Sequence, residues 1–402
     1  MGALRNVVVA ILALSLLTFI ALFGQLPALR KTPIGWLRRA LCLHLPNGLR
    51  YVDQQATGGR LTTKSKRLAR YLFYEQNPVV LILFLLLLTL STVLFIWNAF
   101  TYLPLALLLP IPVLVSLPYY FTFATVSCTA HFITAENVHF RLHDYPYDNL
   151  IFHPGTTCRT CDIAKPARSK HCSLCRRCVA KSDHHCPWVN NCLGRGNYRH
   201  FLALLLTLGI LQIYGAYLSF YILRPTYADA GAKESWTDLG DAIMYVIDQG
   251  GIGTAGVGLL AASTAVLPLG LLAYHCYLVW AGMTTNESQK WADWRDDMAD
   301  GIVFKASRKQ LREWNQRRRQ QSLSNGHASA TENRALNIGL EEADEVKVDW
   351  PVHSDQMVVR TNDGKPPIGQ EVLWTRIWSL DEVENMYDLG GWENFLEVMK
   401  GR

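Results

Sequence analysis

Five long stretches of this chain contain no Asp, Glu, Lys or Arg: Val7–Phe23, Val79–Trp97, Leu103–Val126, Phe201–Leu223 and Val257–Trp280. A helix rises about 1.5 Å per residue and the hydrocarbon core of a bilayer is about 30 Å thick, so each stretch is close to a spanning length. In hydrocarbon every backbone polar group must be paired internally, which leaves the helix as the form such a stretch takes. The pattern predicts an all-α polytopic membrane protein with five transmembrane helices. The first stretch, behind the short Met1–Asn6, also fits the core of a cleaved signal peptide, although it is long for one and no small-x-small cleavage site follows cleanly. The third carries Pro104, Pro110, Pro112 and Pro118, so it is expected to be tilted, kinked or partly re-entrant.

Orientation follows from the connecting segments. Arg30–Arg70 holds ten Lys and Arg against the single acid Asp53, and Cys128–His200 holds ten more, whereas Arg224–Gly256 has two among five acids. Basic loops stay cytoplasmic. The N-terminus is then lumenal and the tail cytosolic. Neither expected lumenal loop contains a cysteine, and seven of the ten cysteines lie between Cys158 and Cys192, on the reducing side where thiols remain free. A net charge of +6 needs no nucleic-acid partner, since positive-inside loops account for it.

The segment "CRTCDIAKPARSKHCSLCRRCVAKSDHHCPWVNNC" packs seven Cys and three His into one short run. Thiolate and imidazole at this density suit tetrahedral zinc. Cys158, Cys161, His171 and Cys178 follow Cys-x2-Cys-x9-His-x6-Cys, and a shift of fourteen positions gives Cys172, Cys175, His185 and Cys192 in the same spacing. Two interleaved Cys3His sites are thus specified. Each would be saturated and structural, which argues against a zinc hydrolase or deaminase.

Asp183, His184 and Cys186 remain after this subtraction. A thiol beside an imidazole and a metal site favours a thiolate nucleophile, with the aspartate holding the histidine as in a triad. The spacing alone leaves open a plainer reading, in which Cys186 is an alternative ligand and His184 is solvated.

The run Cys158–Phe201, with "KPARSKHC", "DHHCPWVNNC" and "GNYRHF", resembles the DHHC cysteine-rich domain of protein S-acyltransferases (palmitoyltransferases). The resemblance implies that Cys186 carries the acyl group, His184 is the base, Asp183 orients it and His185 binds zinc. It implies palmitoyl-CoA as donor, two structural Zn2+ ions, and ping-pong transfer to cytosolic juxtamembrane cysteines of membrane proteins. "TTNE" at Thr284, Thr285 and Glu287 resembles a family motif that contacts the cysteine-rich domain, and is also a capping box. "NMYDLGGWENFLEV" resembles the family's C-terminal element, with Asn385 and Tyr387 docking the tail on the membrane domain. Five spans with this tail look like the fungal branch that acylates SNAREs in the endoplasmic reticulum.

Lys181, Arg195 and Arg199 are candidate ligands for the coenzyme A phosphates, though positive-inside bias explains them almost as well. Between Glu287 and the C-terminal element, "KASRKQLREWNQRRR" reads as a basic amphipathic membrane-surface helix and "QSLSNGHASATENR" as a disordered linker. His275 and Gln212 are polar residues inside apolar spans, a default functional flag. Cys42, Cys128 and Cys276 read as small apolar residues. The expected organisation is a first span in 1–29, a basic cytosolic loop in 30–78, spans two and three in 79–127, the zinc-stabilised cysteine-rich domain in 128–200, spans four and five in 201–282, and a cytosolic tail in 283–402. A membrane-anchored zinc-finger adaptor without catalysis is the competing class, but it would need no leftover Cys–His pair.

Overall fold

The computed structural model describes residues 31–229, 236–324 and 348–401, together with 13, 16–18, 20 and 21. Most of the expected first span and most of the expected linker lie outside them. The chain forms two compact units: Met1–Val126 with Pro187–Asn190 and His200–Ala273, and Ser127–Cys186 with Asn191–Arg199 and Tyr274–Arg402.

Among the described residues the first unit supplies most of four helices long and apolar enough to cross a membrane: Val79–Tyr102, Leu105–Ser127, Tyr198–Tyr227 and Met244–Trp280. Ile82, Leu86, Leu90 and Val93 recur at helical spacing and are all exposed, which is the outer face a bilayer covers. The proline-rich span is helical from Pro110 to Ser127 straight through Pro118. Hydroxyls bond the carbonyls around that proline: Ser116 donates to Val113 at 2.9 Å and Thr122 to Pro118 at 2.7 Å.

The last of these helices begins well before the expected Val257, its first part being Trp236–Gly251. Asp248 and the run "GGIGTAG" disguise its apolar character in the sequence. It is not uniform: Gly251 has φ +61°, and Ile252–Gly256 forms a π-helical turn before the α-helix resumes at Val257. Small residues let the helices approach closely, as membrane packing requires. A Cβ on Gly258 would overlap the Ser219 side chain. Polar side chains then link the helices: Ser219 Oγ donates to the Thr254 carbonyl at 2.8 Å, Tyr214 Oη to the Leu107 carbonyl at 2.8 Å, and Gln212 Nε2 to Thr264 Oγ1 at 2.9 Å. Gln212 is therefore a packing residue.

The basic segment before Val79, expected as a loop, is helical: Pro33–Arg39, a π turn Ala40–His44, Leu45–Thr57 and Arg60–Tyr74. Gly58 and Gly59, both at positive φ, turn the chain between the last two helices. Asp53, the lone acid, caps the turn by accepting from Thr62 N at 2.7 Å and from Thr57 Oγ1.

The second unit is built from short antiparallel strands: β1 (Phe132–Ile133), β2 (Thr157–Cys158), β3 (Ile163–Ala164), β4 (Lys170–Cys172), β5 (Arg177–Val179), β6 (His185–Cys186), β7 (Asn191–Cys192), β8 (Val303–Ser307), β9 (Gln356–Arg360) and β10 (Thr375–Arg376). Sheets run β1-β5-β4, β2-β3, β6-β7 and β10-β8-β9. The tail is thus not wholly helical, which corrects the all-α expectation for this unit. The stretch expected as a membrane-surface helix begins inside β8, and its helix, Arg308–Ser324, buries Leu311 with Phe304, Ala306, Met357 and Trp374. Its apolar side is occupied by protein. Two aromatic-rich clusters bind the segment after Tyr145 to the tail: Tyr145, Tyr147 and Phe152 with Trp350, Met386 and Tyr387, and Leu150 with Trp291, Met298, Val303, Val358 and Ile377.

Gly258→Ala should lower the thermal midpoint in detergent, by an overpacking cost of roughly 1–3 kcal/mol, and Ser219→Gly in the same chain should restore most of it. A thermal-shift series of the wild type, both single variants and the double variant measures this.

Candidate active site and metal centres

The cysteine repeat has a direct structural meaning. In each copy a Cys-x2-Cys turn supplies two thiols and a hairpin further on supplies a His and a Cys as facing partners. His171 pairs with Cys178 across β4–β5, and His185 pairs with Cys192 across β6–β7. Cys172 and Cys175 sit on the tip of the hairpin whose base carries His171 and Cys178, which is why the two sites interleave. The residue after the turn takes positive φ in each copy: Asp162 at 52°, Arg176 at 54°.

In both groups every donor atom lies within 4.8 Å of the others. His171 Nδ1 stands 3.5, 3.3 and 3.8 Å from the Cys158, Cys161 and Cys178 sulfurs. His185 Nδ1 stands 3.8, 3.3 and 3.7 Å from those of Cys172, Cys175 and Cys192, and the Cys175 and Cys192 sulfurs are 3.5 Å apart. Zinc bond lengths put the edges of a tetrahedral site at ~3.6 Å for nitrogen to sulfur and ~3.8 Å for sulfur to sulfur. The donor sets fit such an ion.

Cys186 occupies the first ligand position of a third copy, one repeat length after Cys172 and two after Cys158. The turn geometry persists there, with Asn190 at φ 47°. The other three ligands do not: the corresponding positions hold Val189, Arg199 and Leu206. Cys186 is thereby held in the backbone frame of a metal knuckle with no metal group to join. It is buried, and Asn191 faces it across β6–β7.

Asp183 and His184 are fixed by the same hairpin, with Asp183 N donating to the Leu193 carbonyl at 2.9 Å and Leu193 N to the His184 carbonyl at 2.8 Å. His184 Nδ1 lies 2.6 Å from Asp183 Oδ2. Burial opposes a charged imidazole, yet the hydrogen bonds of His184 to Asp183 and to Cys186, and the charges of the same groups, raise its pKa to about 10. Cys186 is thus among the groups that set the His184 pKa. Burial likewise works against ionised Asp183, but His184 and the Thr285 amide hold its pKa below the usual carboxylate range.

The Thr284–Glu287 motif closes on this carboxylate. Thr285 donates to Asp183 from its amide at 2.7 Å and from its hydroxyl at 3.0 Å, while Thr284 Oγ1 donates to the Ser182 carbonyl at 3.0 Å. Thr284 also caps its helix, Thr285–Ala299, in a complete capping box with Glu287. Glu287 in turn takes both oxygens to Arg168, at 2.7 and 2.6 Å, in an ion pair only 1–2% exposed. Arg168 is stacked by the Tyr145 and Tyr387 rings. Behind Asp183 lies His275, 1% exposed, 4.0 Å from the carboxylate, stacked on the His184 ring at 5.6 Å, and sharing a 2.9 Å hydrogen bond with the Tyr198 hydroxyl.

The tail residues fall partly where expected. Asn385 donates to the Ala281 carbonyl, just past the last apolar helix, but Tyr387 packs on the cysteine-rich segment, with its hydroxyl donating to Pro146. The coenzyme A candidates need correction at Lys181: it is buried and paired with Glu397 of the C-terminal helix at 2.8 Å, so it faces the tail and not a solvent-borne phosphate. Burial lowers its pKa to about 8 against the pull of Glu397. Arg195 pairs with Asp144 and Arg199 donates to the Met399 carbonyl, and both remain partly exposed. Arg168, Tyr198 and Glu397 carry no local signal, since each is defined by partners far away in the chain.

Residues 151–292 match the family described as DHHC palmitoyltransferase. The chain is 38% identical to palmitoyltransferase swf1 of Emericella nidulans over 99% of its own length and 97% of that protein, and 39% identical to palmitoyltransferase SWF1 of Neurospora crassa over 99% and 92%. It is 35% identical to palmitoyltransferase ZDHHC4 of Rattus norvegicus over 56% of its length and 70% of that protein.

Arg168→Met should cost about 3–5 kcal/mol by stranding Glu287 in the interior, lowering the unfolding midpoint by roughly 10 °C. Adding Glu287→Gln, which removes the stranded charge and keeps a capping acceptor, should recover much of that loss in the same melting assay.

Proposed function

The chain belongs to the DHHC palmitoyltransferase family and is a protein S-palmitoyltransferase, and we propose that Cys186 is its acyl carrier, with His184 as proton acceptor and Asp183 as the group that orients His184. One observation carries this reading: of seven cysteines between Cys158 and Cys192, six fall into the two metal-fitting groups and the seventh hydrogen-bonds a histidine held by a buried aspartate.

Bound as structural ions, zinc held by Cys158, Cys161, His171 and Cys178 and by Cys172, Cys175, His185 and Cys192 would supply only rigidity, since protein donors fill every position. The chemistry belongs to the chain. His184 accepts the Cys186 proton, and the thiolate sulfur attacks the carbonyl carbon of palmitoyl-CoA. The new carbon–sulfur bond replaces the old one, and coenzyme A leaves as a thiol after taking up a proton. A substrate cysteine then gives its proton to His184 and attacks the acyl-enzyme, regenerating Cys186. One thioester replaces another at each step, so no nucleotide is consumed. Asp183 keeps the imidazole in one orientation, Thr285 keeps Asp183 in place, and His275 with Tyr198 backs the pair on its remaining side. Arg195 and Arg199 are the remaining candidates for the coenzyme A phosphates.

The wider reading places five spans in the chain, counting Val7–Phe23, with the cysteine-rich domain on the cytosolic side of the endoplasmic reticulum. Substrates are membrane proteins with cytosolic cysteines next to their spans, SNAREs among them. Positive-inside bias supports the orientation, and the end-to-end similarity to swf1 proteins supports the branch.

Purified wild type and Cys186→Ser, incubated with labelled palmitoyl-CoA, test the central assignment. The variant should keep two zinc equivalents and lose all hydroxylamine-labile label; loss of a zinc, or undiminished labelling, would overturn it. Cys161→Ser should retain a single zinc by metal analysis. His275→Phe should reduce the rate constant of self-acylation about tenfold or more, with KM for palmitoyl-CoA unchanged, as expected of a positioning residue.

A further inference from the structure

The helical segment Pro33–Tyr74 has no role in the chemistry above, yet it is strongly patterned. Along Leu45–Thr57, the residues Leu45, Leu49, Val52 and Ala56 fall on one face at helical spacing and all are exposed, the three larger ones by 53 to 61%. Along Arg60–Tyr74, Leu61 and Leu68 do the same at 60 and 59%, while Arg60, Arg67 and Arg70 lie to one side of that face. Trp36 and Leu43 extend the exposed apolar surface upstream. In water such a surface would be costly, at roughly 25 cal/mol per Å2. Helices of 13 and 15 residues, carrying several cations, are too short and too charged to cross a bilayer.

Three observations identify what covers this surface. First, only four residues separate Tyr74 from the apolar helix that starts at Val79, a reach of at most about 18 Å. Asn77 makes that link a defined turn, accepting from Val79 N at 3.1 Å and donating to the Glu75 carbonyl at 2.9 Å. The hairpin is therefore tethered at the membrane surface. Second, charge is strongly biased: nine Lys and Arg lie between Lys31 and Arg70, where the one acid, Asp53, is turned inward to cap the second helix, and Glu75 just beyond is the single carboxylate among three cations at the groove described next. Third, Lys64, Arg67 and Arg70 join Leu68, Tyr71 and Glu75 around an open groove of about 650 Å3, where cations and apolar side chains meet.

We propose that Pro33–Tyr74 is an interfacial hairpin that lies in the headgroup layer and binds anionic phospholipid, with its apolar faces against the acyl chains and the Lys64–Arg67–Arg70 groove around a lipid phosphate. A lone helix of this kind binds reversibly, but tethering to a span makes the contact permanent and leaves lipid charge as the variable. The surface then reports the lipid composition of the membrane in which the enzyme sits.

The test uses the full chain in nanodiscs of pure phosphatidylcholine or of an equimolar mixture of phosphatidylcholine and phosphatidylserine, following amide hydrogen exchange over residues 45–75. Phosphatidylserine should slow exchange, and replacing Lys64, Arg67 and Arg70 by Gln should reduce that protection by about fivefold per charge removed. Leu49→Glu with Leu68→Glu should raise exchange in both lipids. Self-acylation of Cys186 in detergent should be unchanged in every variant, which separates failure of this proposal from failure of the catalytic assignment. Equal exchange in the two lipids, protection in pure phosphatidylcholine by inorganic phosphate or coenzyme A, or protection that follows cross-linking of two copies would each overturn it.

Discussion

The hydrogen-bonded chain that ends at Asp183 and His184 starts from the Arg168–Glu287 ion pair. Both groups are almost wholly excluded from solvent, so each alone would be strongly unfavourable, and together they hold only because two hydrogen bonds and two tyrosine rings complete the arginine's surroundings. Glu287 then closes the capping box, which sets where the helix begins, and the first residue of that helix, Thr285, grips Asp183. Asp183 fixes His184, whose pKa both Asp183 and Cys186 raise. A buried ion pair contributes little net stability but imposes one geometry, and here that geometry is passed along hydrogen bonds to His184.

The metal-fitting hairpins address a second constraint. A small segment of two- and three-residue strands has little core with which to hold its side chains still, and two sets of four converging donors can replace that core. Cys186 benefits from the repeat without belonging to either set. It stands in ligand register, on the strand after Cys172 and Cys175 have been committed elsewhere, so its backbone is as constrained as a ligand's while its sulfur stays available.

The membrane-facing part is organised differently. There the helices pack through glycines, serines and a glutamine, because hydrocarbon offers no hydrophobic drive for apolar faces to meet. Between Lys31 and Arg70 a single acid caps a turn, and nine cations stand against it. The electrostatics that orient the chain and those that would hold its hairpin to lipid are the same residues.

Local pattern determined the apolar helices, the eight metal-fitting donors and the leftover Asp183–His184–Cys186 group, because composition over a span length and spacing over one repeat survive without knowledge of distant partners. It misleads where pattern is interrupted or ambiguous: Asp248 and the glycines hide the start of the last helix, and the basic stretch after Lys305 looks amphipathic although it begins in a strand and its Leu311 packs on that sheet. Lys181 reads as a phosphate ligand because a lysine's charge is visible in sequence and its burial is not. Only the tertiary structure assigned that charge to Glu397, near the other end of the chain, and placed Arg168 on Glu287 and His275 behind Asp183. These are pairings of single side chains across long sequence separations, which no periodicity encodes, and they are what fix the surroundings of Asp183 and His184 beside Cys186.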